Sequence, residues 1–339
     1  MIQTQPFGLT KLLLPAGIGL AVVGWLFLRE FNAGTFTTIT FTWSSLAFIL
    51  LAIFFMFGRD LGLIWRFRML SYKRLTWGQA YKIHILNEFS SAVTPSAVGG
   101  SAFVVLFLSK AGLNLGRSTA IMITNLFLDE LFFVVFCPII FLLVPLAELF
   151  NVTSVIAATI GVVFWSVYGL LFVWTMLLFI GLFYQPNFIV SFFDLLFRLP
   201  FLIRFRAKLT VFSSSLYNAS HETSSQPMAF WLKAFATTAA SWSARFLVVN
   251  ALFLAFIPIT NHLVIFGRQL MLWVVMVVSP TPGASGLTEI AFREYYSDLM
   301  LDSSSILLII LIWRLISYYL YLILGVIIIP KWIRKSFNM

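Results

Sequence analysis

Four charged side chains interrupt long apolar stretches of this sequence, and they are its first candidates for chemistry. They are Asp129, Glu130, Arg245 and Arg314. At the centre of a membrane helix, each would cost about 2.5–3.5 kcal/mol. Such residues should face inward, where they either pair or line a water-filled cavity. Both outcomes stay open here. The two acids and two arginines can cancel as ion pairs, or an arginine can hold an anionic substrate, because a guanidinium fits phosphate in a bidentate way.

Helical spacing places these charges in polar stripes. Side chains three, four or seven residues apart share one face of a helix. The stripes are Asn125 with Asp129, then Thr237, Ser241 and Arg245, then Arg314 with Ser317, Tyr318 and Tyr321, and, in another segment, His84 with Glu88. We therefore expect several inward-facing polar faces that meet in the interior of the protein.

A polar, helix-breaking phrase occurs twice, as TPSAVG at 94–99 and TPGASG at 281–286. Proline ends a helix and glycine permits positive φ, so each phrase can be a simple tight turn. However, helices broken at corresponding positions in two halves of a membrane protein point to a transporter's binding site. The candidate binding residues of this region are Thr94, Pro95, Gly99, Gly100, Thr281, Pro282, Gly283, Gly286 and Glu289.

The residues after the second phrase allow three interpretations. Glu289 and Arg293 lie four residues apart and can form a local ion pair. Alternatively, the half-helix that begins there points its free amides at an anionic head group. Ser285 with Glu289 would suit a nucleophile and its base, although no complete activated set is visible.

Composition identifies the elements that must position these residues. The chain is 61% hydrophobic and 10% charged, whereas soluble domains carry roughly 25% charged residues. We therefore predict an all-α polytopic membrane protein. Segments of about 20 apolar residues can span a bilayer, and six satisfy this: 12–29, 39–58, 118–145, 153–184, 229–257 and 303–330. Two further apolar segments, 80–109 and 262–300, contain the repeated phrases and are predicted to be re-entrant hairpins.

Basic residues set the predicted orientation. If both broken segments turn back, Lys and Arg collect in 59–82, 110–117, 185–228 and the C-terminal tail, and none falls in 30–38 or 146–152. The positive-inside rule then places both chain termini in the cytoplasm and explains the net charge of +10 without a nucleic-acid partner. The first hairpin enters from the cytoplasm and the second from outside, as in an inverted repeat, which would bring the two phrases together near the midplane.

The resulting organisation is one transmembrane domain over 1–339. Its first half is 1–145, its second half is 229–339, and 185–228 is a cytoplasmic interfacial linker. Within the linker, 192–209 mixes Phe and Leu with basic residues, which is typical of a helix lying on an anionic membrane surface. Residues 213–227 read as a polar loop, and 62–70 resembles a smaller interfacial helix.

Other chemistries have little support in the sequence. His84, His221 and His262 are scattered without metal-ligand spacing. There is no P-loop, no G-x-S-x-G and no G-x-G-x-x-G. Cys137 is the single cysteine, so no disulfide framework exists. We expect no metal and no cofactor.

The ordered motifs resemble those of the flippase-like membrane family, typified by the transmembrane part of lysylphosphatidylglycerol synthase, the multiple peptide resistance factor. The first signature lies in 87–117, with its proline, its glycine pair and a basic turn. The second has a P-T-P-G-x-x-G followed by a glutamate. The third is a late arginine followed by aromatic residues. The matching positions here are Pro95, Gly99, Gly100, Lys110, Gly112, Pro280, Thr281, Pro282, Gly283, Gly286, Glu289, Arg314, Tyr318 and Tyr319.

The resemblance implies movement of a lipid or lipid-linked head group between leaflets of a bacterial or archaeal plasma membrane. Its partners would be membrane lipids with anionic or lipid-linked head groups, and a homo-oligomer is compatible. Ser101 and Val104 stand where many relatives have an acid and an arginine, and Asp129-Glu130 replaces an acid–arginine pair. The relatives' aminoacylated phospholipid is therefore not carried over. We expect a transporter and not an enzyme; the alternatives are a non-transporting scaffold or accessory subunit, and an intramembrane lipid-modifying enzyme.

Overall fold

The computed structural model describes residues 41–94, 100–150, 155–184, 209–257, 261–299 and 303–337, and all regular elements within them are helices. The α-helices in chain order are α1 Trp43–Leu70, α2 Trp77–Val93, α3 Ser101–Lys110, α4 Leu115–Leu143, α5 Leu146–Phe150, α6 Val155–Phe183, α7 Leu209–Ser224, α8 Met228–Phe256, α9 His262–Met276, α10 Leu287–Tyr296, α11 Ser303–Arg314 and α12 Leu320–Phe337. A π-helical turn, Leu315–Tyr319, joins α11 to α12. The predicted first span at 12–29 and the interfacial stretch 192–208 lie outside the described residues.

Five described helices are long and apolar enough to cross a membrane. They are Trp43–Leu70, Leu115–Leu143, Thr159–Phe183, Met228–Phe256 and Ser305–Ile329. This confirms five of the six predicted spans and the all-α polytopic class. Local capping fixes several starts: the Thr42 hydroxyl accepts from Ser45 N at 3.1 Å before α1, and Asn114 Oδ1 accepts from Arg117 N at 2.8 Å before α4.

The first of these helices is longer than predicted. The sequence suggested a span at 39–58 followed by a separate interfacial helix at 62–70, but α1 runs unbroken to Leu70. Its second part is buried on one face, through Arg59, Leu63, Arg66 and Leu70. Packing against other helices buries this face, so 62–70 is the continuation of α1 and not a separate helix; its position at the membrane surface stays a prediction.

Helices α1 and α8 form the most extensive helix–helix contact among the described residues. At Gly62 the two backbones approach so closely that a Cβ atom there would overlap the Ser241 hydroxyl. Small residues permit this approach between membrane helices. The contact brings Arg66 of α1 against α8, where it donates to Thr238, and α8 carries one arginine of its own, Arg245.

Each predicted hairpin consists of two shorter helices separated by the repeated phrase. Helix α2 ends before the first phrase and packs against α3, which follows it; α9 and α10 flank the second phrase and also contact each other. The helix–break–helix form is therefore observed for both segments. The opposite directions in which they enter the membrane stay a prediction of the charge pattern.

The second hairpin is tied to the short helix α5 by Arg268, one of the largest fully buried side chains. Its guanidinium donates to the Glu148 carbonyl at 2.9 and 2.6 Å, to the Tyr295 carbonyl at 2.9 Å and to both Asp298 oxygens at 2.5 and 2.7 Å. These bonds fill the donor capacity of the guanidinium and hold both ends of the hairpin together.

The segment predicted as a polar loop is largely helical. Residues Leu209–Ser224 form α7, which packs against α4. The buried positions of α7 are Leu216, Ala219, Ser220 and Thr223, which follow the spacing of one helix face. An ion pair between Glu222 and Arg117 adds to this contact. The loop interpretation is wrong because small, weakly polar side chains pack well once a partner helix is present.

Candidate functional site

A cavity of about 260 Å³ lies among the long helices and beside both hairpins. Its wall brings together charges from α1, α2, α4, α8 and α11. They are Arg59, Arg66, Glu88, Asp129, Glu130, Arg245 and Arg314. Aromatic residues, including Trp242, Trp273 and Trp313, line it too. It is thus a charged chamber inside an apolar helical bundle.

The two repeated phrases contact each other beside this cavity. Gly283 N donates to the Thr94 carbonyl at 3.3 Å. Tyr318 links the same two segments, because its hydroxyl donates to the Ala92 carbonyl at 3.2 Å and accepts from Ser285 Oγ at 3.0 Å. The predicted meeting of the two phrases is therefore observed, from residues almost two hundred positions apart.

Glycine is required at this junction. Gly283 has a φ of +57°, and a Cβ atom there would lie 2.9 Å from the Ala92 carbonyl oxygen and would overlap the Tyr318 ring. Gly286, with a φ of +87°, starts α10. A side chain at either position would strain the backbone, and one at Gly283 would also push the hairpins apart.

Glu289 has an unexpected pair of partners. One of its oxygens accepts from Gly286 N at 2.7 Å, and the other lies 2.8 Å from Arg314 Nε. Glu289 is fully buried. One amide at the start of α10 is therefore used by the protein's own carboxylate, and the binding of a substrate anion at this helix start stays a prediction. The local Glu289–Arg293 pair is not formed, since Arg293 approaches Glu294 at 3.7 Å instead.

Asp129 is held by Arg66, a residue that the sequence analysis placed among the cytoplasmic charges. The two side chains form a bidentate pair at 2.6 and 2.9 Å. Arg66 also donates to Thr238 Oγ1 at 2.9 Å, and Trp242 Nε1 donates to Asp129 at 2.8 Å. Asp129 therefore has its charge and several lone pairs satisfied within the protein.

A second cluster surrounds Arg59 on α1. Its guanidinium donates to Glu88 at 2.7 Å and to Asp60 at 2.9 Å. Asp60 accepts from Tyr321 at 2.6 and 2.8 Å and contacts His84 Nε2 at 3.0 Å. The predicted stripe of His84 and Glu88 is thus one wall of this cluster.

Arg245 has the longest ion-pair distance among the arginines of the charged wall, and Glu130 has no ion pair within the described ranges. Arg245 lies 3.9 Å from Glu88, and no hydrogen bond to its guanidinium is found within the described ranges. Its side chain is 22% exposed, into the cavity. Glu130 has a buried oxygen, Oε2, without a hydrogen-bond partner. Each of these two side chains thus keeps hydrogen-bonding capacity that the described residues do not use.

The predicted site residues divide into three groups. Those that line the cavity are Asp129, Glu130, Arg245, Gly283 and Arg314. Those that shape or support the junction are Thr94, Gly100, Thr281, Pro282, Gly286 and Glu289. Pro95 and Gly99 lie outside the described residues. Substrate binding by any of them stays a prediction.

Three of the four polar stripes face the cavity as predicted, and one does so only in part. Asn125 with Asp129 lines the chamber, as do His84 with Glu88 and the set that begins at Arg314. In the remaining stripe only Arg245 reaches it, because Thr237 and Ser241 pack against Gly62 of α1.

The residues that sequence reasoning missed are Arg59, Asp60 and Arg66. Basic residues after an apolar run look the same whether they anchor a helix at the membrane surface or enter a cavity. The available signal was spacing, since Arg59 and Arg66 are seven residues apart and share a face with Leu63. That pattern fits a helix that continues past the apolar run.

Two other arrangements considered from the sequence are not seen. Ser285 donates to Tyr318 and does not contact Glu289, so this nucleophile–base pair is not formed. Across the described residues, no group of three His, Cys, Asp or Glu side chains is placed to hold a metal ion.

The helices and the charged chamber define a multi-pass integral membrane protein with a polar site inside the bundle. The chain belongs to the family described as the lysylphosphatidylglycerol synthase TM region, whose model matches residues 12–325. It is also 25% identical over 318 residues to a UPF0104 membrane protein of Archaeoglobus fulgidus, covering 89% of this chain and 93% of that protein. These findings confirm the resemblance stated above. No solved structure matches the chain.

Proposed function

We propose that this protein moves a lipid or lipid-linked head group between the two leaflets of a bacterial or archaeal plasma membrane. The orientation that accompanies the proposal has both chain termini in the cytoplasm. One observation carries it: two broken helices meet at Thr94 and Gly283 beside a chamber in which the Arg245 guanidinium has unused hydrogen-bond donors. A polar head group needs such a chamber, because a charge in hydrocarbon is costly.

Within this proposal Arg245 contacts the phosphate that lipid head groups share. A guanidinium presents a planar set of donors that matches two phosphate oxygens. Arg59, Arg66 and Arg314 already hold carboxylates at 2.9 Å or less, so Arg245 is the arginine best placed to exchange partners. These three arginines and their acids then form a neutralised wall that keeps the chamber polar.

The junction between the phrases suits a moving part. The direct backbone link between them is one 3.3 Å hydrogen bond, supplemented by the Tyr318 hydroxyl. Broken helices that meet near the centre of a transporter allow one repeat to rock against the other around a fixed site. We propose that this junction separates and re-forms as the head group passes.

The test is lipid transfer in liposomes that contain the purified protein. Phospholipids labelled with a fluorophore on the acyl chain keep their natural head groups, and dithionite bleaches only those in the outer leaflet. We expect transfer by the wild-type protein and about a tenfold loss in Arg245→Gln, the loss expected when a hydrogen bond to a charged group is removed. Arg293→Gln, outside the cavity wall, is the matched control.

Two results would overturn the proposal. One is an absence of transfer for every lipid, with and without a pH gradient, by a protein that is folded in the same liposomes. The other is equal transfer by Arg245→Gln and Arg293→Gln, which would overturn the proposed contact between Arg245 and the phosphate. The first result would favour a scaffold or accessory subunit.

A further inference from the structure

We infer that the head group taken by this chamber is zwitterionic, with its phosphate on Arg245 and an amine that carries N–H donors on Glu130. The inference rests on the proposed function and names the substrate class of the same site. It departs from a purely anionic head group, which the arginines alone would suggest.

When each arginine around the cavity is paired with a carboxylate of the described chain, one carboxylate remains unpaired. Arg66 is matched by Asp129 and Arg314 by Glu289. Arg59 and Arg245 are matched by the carboxylates of their shared cluster, Asp60 and Glu88. Glu130 remains without a cationic partner, since no Lys, Arg or His nitrogen of the described chain lies within 4.0 Å of its carboxylate.

Glu130 is placed to meet a ligand and not a neighbouring helix charge. It follows Asp129 directly, so the two side chains point about 100° apart around α4. Asp129 faces Arg66 and Trp242, whereas Glu130 accepts hydrogen bonds from the neutral side chains of Trp174 and Thr175 on α6. Its Oε2 atom is buried without a hydrogen-bond donor, and its side chain lines the cavity. A buried acceptor in this position calls for a donor from outside the chain.

Arg245, in contrast, has hydrogen-bond donors without a close acceptor. It lines the same cavity from α8, and its nearest carboxylate oxygen, on Glu88, is 3.9 Å away. Its charge is therefore balanced at a distance while its donors stay unused. A phosphate can accept those donors without displacing the Arg59–Glu88 bond at 2.7 Å.

A purely anionic head group would satisfy only one of these two sites. It would bring a further negative charge into the chamber that Glu130 also lines, and like charges in a poorly solvated chamber repel. A head group with both a phosphate and a primary amine satisfies Arg245 and Glu130 together. A quaternary amine has the same charge but no N–H group, so it cannot donate to Glu130.

The test compares three lipids that differ in these features. Acyl-labelled phosphatidylethanolamine has a phosphate and a primary amine, phosphatidylcholine has a quaternary amine, and phosphatidylglycerol is anionic. We expect the wild-type protein to transfer phosphatidylethanolamine fastest. In Glu130→Gln, a near-isosteric change, we expect its advantage over phosphatidylglycerol to fall by about tenfold. Glu294→Gln removes a carboxylate outside the cavity wall and should leave the ratio unchanged.

Binding provides a second readout that does not depend on transport. Short-chain versions of the same lipids are added to protein in detergent, and the shift in thermal unfolding temperature is measured. We expect phosphatidylethanolamine to stabilise the wild-type protein more than phosphatidylglycerol, and Glu130→Gln to remove the difference.

The failures of the two proposals are distinguishable. If phosphatidylglycerol moves fastest, or if Glu130→Gln keeps the wild-type lipid ratio, the zwitterionic inference is wrong and the transporter stands. If no lipid moves, the proposed function fails, and the binding shift alone decides the inference: equal or larger stabilisation by phosphatidylglycerol overturns it.

Discussion

Two arginine–glutamate contacts border the same chamber but differ in how completely they are closed. Arg314 and Glu289 lie 2.8 Å apart, with side-chain exposures of 6% and 0%. Arg245 and Glu88 lie 3.9 Å apart, with exposures of 22% and 14%. The first pair joins the second hairpin to the last span, and the second pair faces the open space between α2 and α8. Residue type alone therefore does not separate a structural arginine from one that is available to a ligand.

The difference has a physical cause. When two charges are buried, their mutual attraction must offset the hydration energy that both have lost. Removing one of them therefore leaves the other buried and uncompensated. A pair that is partly exposed to a polar cavity, as Arg245 and Glu88 are, keeps part of its solvation, so losing one member costs less. Substitution of Arg314 should therefore lower the free energy of unfolding more than substitution of Arg245. Substitution of Arg245 should instead lower lipid transfer with little loss of stability.

The largest expected effect is at the closed pair. Arg314→Ala leaves the fully buried Glu289 without its cation and should destabilise the protein by about 3–5 kcal/mol. Thermal unfolding in detergent measures this loss. The double variant Arg314→Met with Glu289→Gln removes both charges and should recover most of it. If the double variant is as unstable as the single one, the pair is not the cause.

An intermediate effect is expected where the two hairpins meet. Gly283→Ala places a side chain at a φ of +57° and against the Ala92 carbonyl, so we expect a loss of about 2 kcal/mol. Gly78→Ala is the control, since a Cβ at Gly78 meets no atom within 4 Å and alanine favours the helix. Equal stability of both variants in thermal unfolding would show that the junction tolerates separation.

The smallest effect on stability is expected at the open pair. Arg245→Gln removes a guanidinium that has no close hydrogen bond, and it should change the free energy of unfolding by less than about 1 kcal/mol, as for other partly exposed ion pairs. The same variant should lose transfer activity in liposomes. A loss of stability as large as that of Arg314→Ala would make Arg245 a structural residue and would remove the contrast between the two contacts.

Much of the architecture was predictable because apolar length and composition act locally. Five spans and both broken segments follow from runs of apolar residues and from the Pro and Gly that interrupt them. The helical stripe that begins at Arg314 was also predictable, and it survives the π-helical turn at Leu315–Tyr319. Helix α7 was missed because its polar residues pack only once α4 is beside them.

The partners of the charges were not predictable. Glu289 has Arg293 four residues away, but it pairs with Arg314, twenty-five residues away. Asp129 pairs with Arg66, sixty-three residues away, and not with either arginine that the sequence had marked. Helical spacing gives the face on which a residue lies, but it does not give the helix that this face meets.

The sequence by itself determined the polar, broken segments and the placement of costly charges inside apolar helices, because both follow from the chemistry of short stretches of chain. Only the tertiary structure decided that Arg59 and Arg66 enter the chamber, that the two phrases meet at Thr94 and Gly283, and that Arg245 and Glu130 keep unused hydrogen-bonding groups. The reason is that ion pairing and burial depend on distances between segments far apart in the chain, which packing alone sets.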